Sequence, residues 1–225
     1  MDAHRQPIAR DFWSRLTAEQ QNLLRRVGST RNFDSGQTII HGAEPGTWAA
    51  VLTSGRVRVV GHGADRTRVI AHRHTGDIIG ELAVIGSAVR LATVSAITRV
   101  GALCLTGAQL GSLTREHPQI LLALLGVVAE RVAESDQHRI EIDTEPKVKV
   151  ARALLGAARR DGVLVKGDWE IYIASQSDFA SIIGASRATL QRVLLDLRAA
   201  GVLSTRRGVV VIRDVGRLRE RARLS

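Results

Sequence analysis

Residues Ser175–Asp214 read SQSDFASIIGASRATLQRVLLDLRAAGVLSTRRGVVVIRD. Ser175-Gln176-Ser177-Asp178 opens a helix over Phe179–Ile183, Gly184 turns the chain, and Ser186 starts a second helix that runs through Ala200 and stops at Gly201. A short helix, a glycine turn and a helix opening on Ser-Arg describe a helix–turn–helix. The Ser186 hydroxyl caps the second helix and sets Arg187 at its exposed start, the part that enters a major groove. Arg187 and Thr189 open this helix, Gln191 and Arg192 follow, and Val193, Leu194 and Leu197 supply its buried side. A guanidinium bonds guanine O6 and N7 together, a contact worth about 1–3 kcal/mol of discrimination. Ser175 and Gln176, at the start of the first helix, are placed to reach phosphate. Val202–Ser204 and Gly208–Ile212 then pair around Thr205-Arg206-Arg207 as a wing.

The charge distribution separates this region from an ordinary helical hairpin with surface arginines. The chain has 225 residues and a formal net charge of +10. Residues 1–145 carry 16 Arg and 15 Asp+Glu, a net of +1, whereas residues 146–225 carry 16 Lys+Arg and 7 Asp+Glu, a net of +9. Removing Arg217, Arg219, Arg221 and Arg223 of the basic tail still leaves +5, so the tail alone does not explain the excess. An electroneutral part joined to a basic one predicts a sensing domain joined to a nucleic-acid-binding domain.

Composition narrows the rest. With 44% hydrophobic residues the chain is neither disordered nor membrane-spanning, and MDAHRQPIAR lacks the apolar stretch of a secretory signal. The expected location is cytoplasmic. The single cysteine, Cys104, excludes an intrachain disulfide framework and a multi-cysteine zinc or iron–sulfur site, and its apolar strand makes it a core residue. His72 and His74 share one side of a strand without a further matched ligand, so no metal or haem is expected. No nucleophile–base set and no P-loop stand in context, so no catalytic residues and no enzyme are expected.

Outward from the helix–turn–helix, Val163–Ile173 reads as strand or loop and Val148–Ala158 as helix. Residues 11–27 also read as helix, with Thr17 capping a second helical segment. Six β-rich runs (Thr38–His41, Ala49–Thr53, Arg56–Val60, Arg68–His72, Ala92–Ile97 and Val100–Leu105) alternate with turn signals at Ser35-Gly36, Gly42, Pro45-Gly46, Ser54-Gly55, Gly61–Asp65 and Thr75–Asp77. This predicts a sandwich, barrel or roll. Pro118 starts a long helix in which Leu121, Leu125, Val128, Val132, Ser135, Arg139 and Ile142 recur at alternating steps of four and three. That heptad seam predicts dimerisation, polar at its end, and Asp143–Pro146 interrupts the helix as a hinge.

Ser175–Asp214 resembles the winged helix–turn–helix of the Crp/Fnr transcription regulators. The family pattern is matched at Ala180, Gly184, Ser186, Arg187, Thr189, Leu190, Arg192, Leu194, Leu197 and Gly201, with Ser175 at the phosphate-contacting position. Ala188 departs from it: the family's glutamate there accepts from cytosine, so specificity at that base pair is expected to relax or change. The resemblance continues through Phe33–Val59, similar to the opening of a cyclic-nucleotide-binding β-roll with Gly36, Gly42, Gly46 and Gly55 holding positive φ at strand reversals. Gly76–Ala96, GDIIGELAVIGSAVRLATVSA, resembles the family's phosphate-binding cassette. It implies a cyclic nucleotide held by Gly80, Glu81, Leu82, Arg90, Leu91 and Ala92: a short helix from Gly80 and Arg90 for the phosphate, Glu81 for the ribose 2′-hydroxyl. Leu91 replaces a hydroxyl, and Glu134-Ser135 stands where bacterial cAMP receptors place the Thr-Ser pair that reads adenine.

The expected architecture is α+β: an N-terminal jelly-roll-like β-roll sensor domain over residues 1–117, a long dimerisation helix and hinge over 118–145, and a C-terminal winged helix–turn–helix over 146–225. The implied partners are double-stranded DNA, a second copy of the chain and RNA polymerase, with no membrane. The implied ligand is cAMP or another cyclic nucleotide. A regulator binding DNA without ligand, and a nucleotide-binding module acting through protein contacts, stand as alternatives.

Overall fold

The computed structural model describes residues 11–62, 67–86, 89–140, 144–173 and 175–223, and the backbone alone of residues 134, 136–140, 160 and 161. It divides into two compact units, Met1–Ala133 and Glu134–Ser225. The expected turn at Gly61–Asp65 and the seam and hinge positions Ile142 and Asp143 fall wholly or partly outside the described residues, as does the Arg139 side chain.

The first unit holds α1 (Ala18–Val27), the strands β1 (Ser29–Phe33), β2 (Thr38–Ile40), β3 (Trp48–Ser54), β4 (Arg56–His62), β5 (Thr67–His74) and β6 (Ile78–Ile79), then α2 (Glu81–Ile85), β7 (Ala92–Ala96), β8 (Val100–Thr106), α3 (Gly107–Glu116) and the start of α4 (Pro118–Ile140). Two four-stranded antiparallel sheets, ordered β1-β8-β3-β6 and β2-β7-β4-β5, face each other. The strands β3 and β8 are apolar on both faces because both faces are buried. Ala50, Leu52, Ala102 and Cys104 fill the space between the sheets, whereas Ala49, Val51, Leu103 and Leu105 pack with Leu24, Leu110, Leu113 and the α4 residues Ile120, Ala123, Leu124 and Val127. Burial pushes the Cys104 thiol pKa up, in keeping with a core residue.

The residue 11–27 helix is broken. A 3-10 turn (Trp13–Arg15) precedes α1, and Thr17 and Gln20 form a reciprocal capping box between them. Of the turn glycines, Gly36 and Gly55 have φ of 86° and 84°, but the positive φ in the Gly42–Gly46 loop belongs to Ala43, at 66°. Gly46 is needed for space instead: a Cβ there would lie 2.2 Å from Ala83 Cβ.

The second unit holds α5 (Pro146–Asp161), β9 (Val163–Val165), β10 (Asp168–Tyr172), α6 (Gln176–Ile182), α7 (Arg187–Ala199), β11 (Leu203–Arg206), β12 (Val209–Ile212) and α8 (Val215–Arg221). Residues 163–173 form a hairpin whose second strand pairs with β12, so the wing belongs to a four-stranded sheet ordered β11-β12-β10-β9. Thr205 and Arg206 lie within β11 rather than at its turn. The basic tail is a helix, not a loose extension: Asp214 caps α8, and Leu218 and Ala222 are fully buried.

Candidate ligand pocket and nucleic-acid interface

In the roll, β6 ends at Gly80, which caps α2 with φ of 79°. This glycine is doubly required, since a Cβ would also lie 2.5 Å from Arg90 Nη1. Arg90 is 5% exposed. Its Nη1 donates to the Gly80 carbonyl at 2.6 Å, its Nη2 to the Trp48 carbonyl at 2.5 Å, and its guanidinium carbon sits 5.3 Å from the Trp48 ring centroid. The backbone around it is fixed from the Ala43–Pro45 loop, with Arg90 N donating to Glu44 O at 2.8 Å and Ala43 N donating to Arg90 O at 2.9 Å. Burial pulls the Arg90 pKa down, against the attraction of Glu81 and Glu44. Among the described residues, the Arg90 hydrogen bonds end on neutral carbonyls.

Glu81 is 1% exposed. It does not pair with Arg90. It accepts from Arg131 of α4, whose Nη2 also donates to the Ile78 carbonyl at 2.6 Å. Arg131 is the residue that the sequence reading missed. It continues the buried face of α4, following Ile120, Leu124 and Val127 at steps of four, three and four, and an arginine at such a position signals a partner beneath it. Leu82 and Leu91 are exposed, Ala92 is half-buried at the start of β7, and Ser135 is exposed on α4. The Glu134 side chain lies outside the described residues.

Asp77, where the cassette begins, accepts from His74 N at 2.8 Å. Its carboxyl pKa is raised, chiefly by burial, against the attraction of His74 and Arg73. The native state therefore keeps this proton to a higher pH than the unfolded chain, and stability falls as pH climbs from the ordinary value of 3.8 through the raised one. Asp77→Asn is expected to raise the melting temperature at neutral pH, by a margin that shrinks to nothing in acid. A pH-independent margin in thermal melts would contradict the burial cost.

In the second unit, Ser175 Oγ caps α6 by accepting from Asp178 N at 3.3 Å. Gly184 turns the chain with φ of 66°. Ser186 Oγ then accepts from Thr189 N at 3.0 Å and lies 2.8 Å from the Thr189 hydroxyl. Ser186 and Thr189 thus build the helix start together, and the Thr189 hydroxyl is engaged there. Leu190, Val193, Leu194 and Leu197 are buried in the unit's core, leaving Arg187, Ala188, Gln191, Arg192 and Leu195 exposed. Gln191 Nε2 donates to Gln176 Oε1 at 3.3 Å and ties α7 to α6. At the wing, Arg206 pairs with Glu170 of β10, and Arg207 stands exposed beside Gly208.

Both halves match family models. Residues 30–117 match the cyclic nucleotide-binding domain, and residues 148–221 match the Crp-like helix-turn-helix domain. The chain belongs to the Crp/Fnr family. As a Crp/Fnr protein it is a CRP-like transcriptional regulator with a cyclic nucleotide-binding domain and a helix–turn–helix. It is 29% identical over 195 residues to a CRP-like cAMP-activated global transcriptional regulator of Mycobacterium tuberculosis, covering 85% of this chain and 87% of that one. It is 27% identical over 210 residues to the cyclic AMP receptor protein of Thermus thermophilus, covering 91% and 93%. Among solved Crp/Fnr-like folds, FixK2 from Bradyrhizobium japonicum superposes with a TM-score of 0.74 at 21% identity, covering 86% of this chain and 96% of that one. Among the described residues, no helix is long and apolar enough to cross a membrane.

Proposed function

We propose that the protein is a homodimeric regulator whose binding to a palindromic operator is modulated by a cyclic nucleotide, cAMP foremost, in the β-roll. The observation that carries the ligand reading is Arg90. A guanidinium taken out of water is expensive unless it meets an anion, and this one is held at the cassette by two neutral carbonyls and an aromatic face. A cyclic phosphate would add charge-assisted hydrogen bonds through its free oxygens, beyond the longer-range attraction of Glu81 and Glu44. Two relatives are named for cAMP.

Glu81 links that site to the rest of the unit. Its carboxylate holds Arg131 of α4, and a ribose hydroxyl donating to the same carboxylate would alter that hold. Arg131 adjoins Val132 of the heptad seam, so occupancy would bias how two copies of α4 meet. The ligand acts as an effector if it binds the DNA-competent state more tightly than the other. In that state two recognition helices reach successive major grooves about 34 Å apart. A second reading, DNA binding without ligand, is favoured by the same Glu81–Arg131 pair, which satisfies the carboxylate from within the protein.

Calorimetric titration of cAMP and cGMP separates the two. Heat with saturable binding of one nucleotide supports the first reading, and no heat from either, with unchanged operator affinity, leaves the second. The DNA half is tested by Arg187→Ala. It is expected to lower affinity for the selected operator about tenfold or more per half-site while keeping salt-sensitive nonspecific binding. Survival of full sequence preference in competition binding would remove Arg187 from base reading.

A further inference from the structure

We propose that Arg15 is a positioning residue for the nucleotide response: its ion pair with Glu130 is the pivot about which α4 turns when the hold of Glu81 on Arg131 changes. The proposal rests on the cyclic-nucleotide reading above. Arg15 ends the 3-10 turn, and its Nη2 donates to Glu130 Oε2 at 2.7 Å. One residue further along α4, Arg131 makes a bridge of the opposite polarity, from the helix to Glu81 and the Ile78 carbonyl. Neighbouring residues of α4 thus tie it to the roll by separate routes. The N-terminal segment holds a carboxylate, and the cassette holds a guanidinium.

These ties lie on different sides of the helix. Ile120, Leu124, Val127 and Arg131 form the face toward the roll core, and Leu121, Leu125, Val128 and Val132 form the seam, about 100° around from it at 3.6 residues per turn. Gly126 and Glu130, four residues apart, lie on the opposite flank. Gly126 marks a built contact. A glycine in a helix interior is destabilising relative to alanine, and here a Cβ would lie 2.6 Å from Arg15 Nη1. The segment that presents Arg15 is itself fixed. Phe12 is fully buried, Trp13 N donates to the Gly76 carbonyl at 2.9 Å, and the Asp11 carboxylate accepts from Ser14 N at 2.8 Å. Gly76 opens the cassette, so pivot and cassette share one base. With one flank held at Glu130, a change at Arg131 turns the helix and moves the seam. With that flank released, slip of α4 on its apolar contacts, which are non-directional, absorbs the same change.

The test uses the full-length protein, cAMP and cGMP as probes, and an operator selected from a random DNA pool with wild-type protein. Arg15→Ala is expected to keep the nucleotide affinity of the DNA-free protein within about twofold by calorimetry, because the Arg15 guanidinium lies on α4. The gain in operator affinity that nucleotide produces should fall about three- to tenfold, with one pair lost in each protomer. Glu130→Arg, which sets two cations against each other, should lose more of that gain, and Arg15→Glu combined with Glu130→Arg should restore it. A purely structural contact would lower the melting temperature and leave the gain intact, so thermal melts accompany the anisotropy titrations. The proposal is overturned if Arg15→Ala shows the wild-type gain, or if the charge-swapped pair does not recover what Glu130→Arg loses. Failure of the ligand reading looks different: wild-type protein would then give no heat with either nucleotide.

Discussion

Leu125→Glu is expected to convert the protein to a monomer with a folded roll and to lower its affinity for a two-half-site operator by about 10²–10⁴-fold. The helix α4 is apolar on two sides. Ile120, Ala123, Leu124 and Val127 are buried in the roll, while Leu121, Leu125 and Val132 remain 37%, 52% and 55% exposed. Half-buried Val128 joins this set at steps of four and three, the spacing at which one helix packs against its own copy. A carboxylate at position 125 faces away from the roll core, so the fold survives, but a paired seam would desolvate it beside apolar neighbours. Sedimentation velocity reads the monomer, and operator binding by fluorescence anisotropy reads the loss of the second half-site. A variant that stays dimeric at micromolar concentration would show that this face is not the seam.

Arg90→Leu is expected to weaken cyclic nucleotide binding by about 10²–10⁴-fold. Two charge-assisted hydrogen bonds to a phosphate, each worth about 1.5–3 kcal/mol, disappear together. The substitution also strands the Gly80 and Trp48 carbonyls that Arg90 now satisfies, so a fall in melting temperature accompanies it. Arg90→Lys separates the two effects. It retains a cation but lacks the planar fork, and should bind nucleotide with intermediate affinity. Calorimetry on both variants checks this, and a folded Arg90→Leu protein with wild-type affinity would place the phosphate elsewhere.

The parts of the molecule that were legible in sequence are those with a strong local rule. Ser186 and Gly184 announced the recognition helix, and the six apolar runs became six of the eight roll strands. The missed elements lack such a rule or were hidden by their composition. Strand β1 is polar and exposed along most of its length and exists because its backbone pairs with β8 from Ser29↔Cys104 to Phe33↔Val100. Helix α3 contains two glycines, yet Thr106 and Gln109 form a capping box that the Thr-x-x-Gln spacing could have revealed. Helix α8 was masked by its arginines, although Leu218 and Ala222 sit four apart on one face. At the pocket, the residue types were legible but their pairing was not. Spacing marks Glu81 and Arg90 as cassette residues, but only the fold shows both buried, with Glu81 joined to Arg131 fifty residues away.

A nucleotide in the roll is expected to change DNA binding by the second unit. The most direct measurement is the affinity of the wild-type protein for its selected operator, by anisotropy at fixed salt, with and without saturating cAMP and cGMP. Binding is expected to tighten with one nucleotide, and Arg90→Leu is expected to abolish that gain. Equal affinity in all three conditions would contradict this expectation.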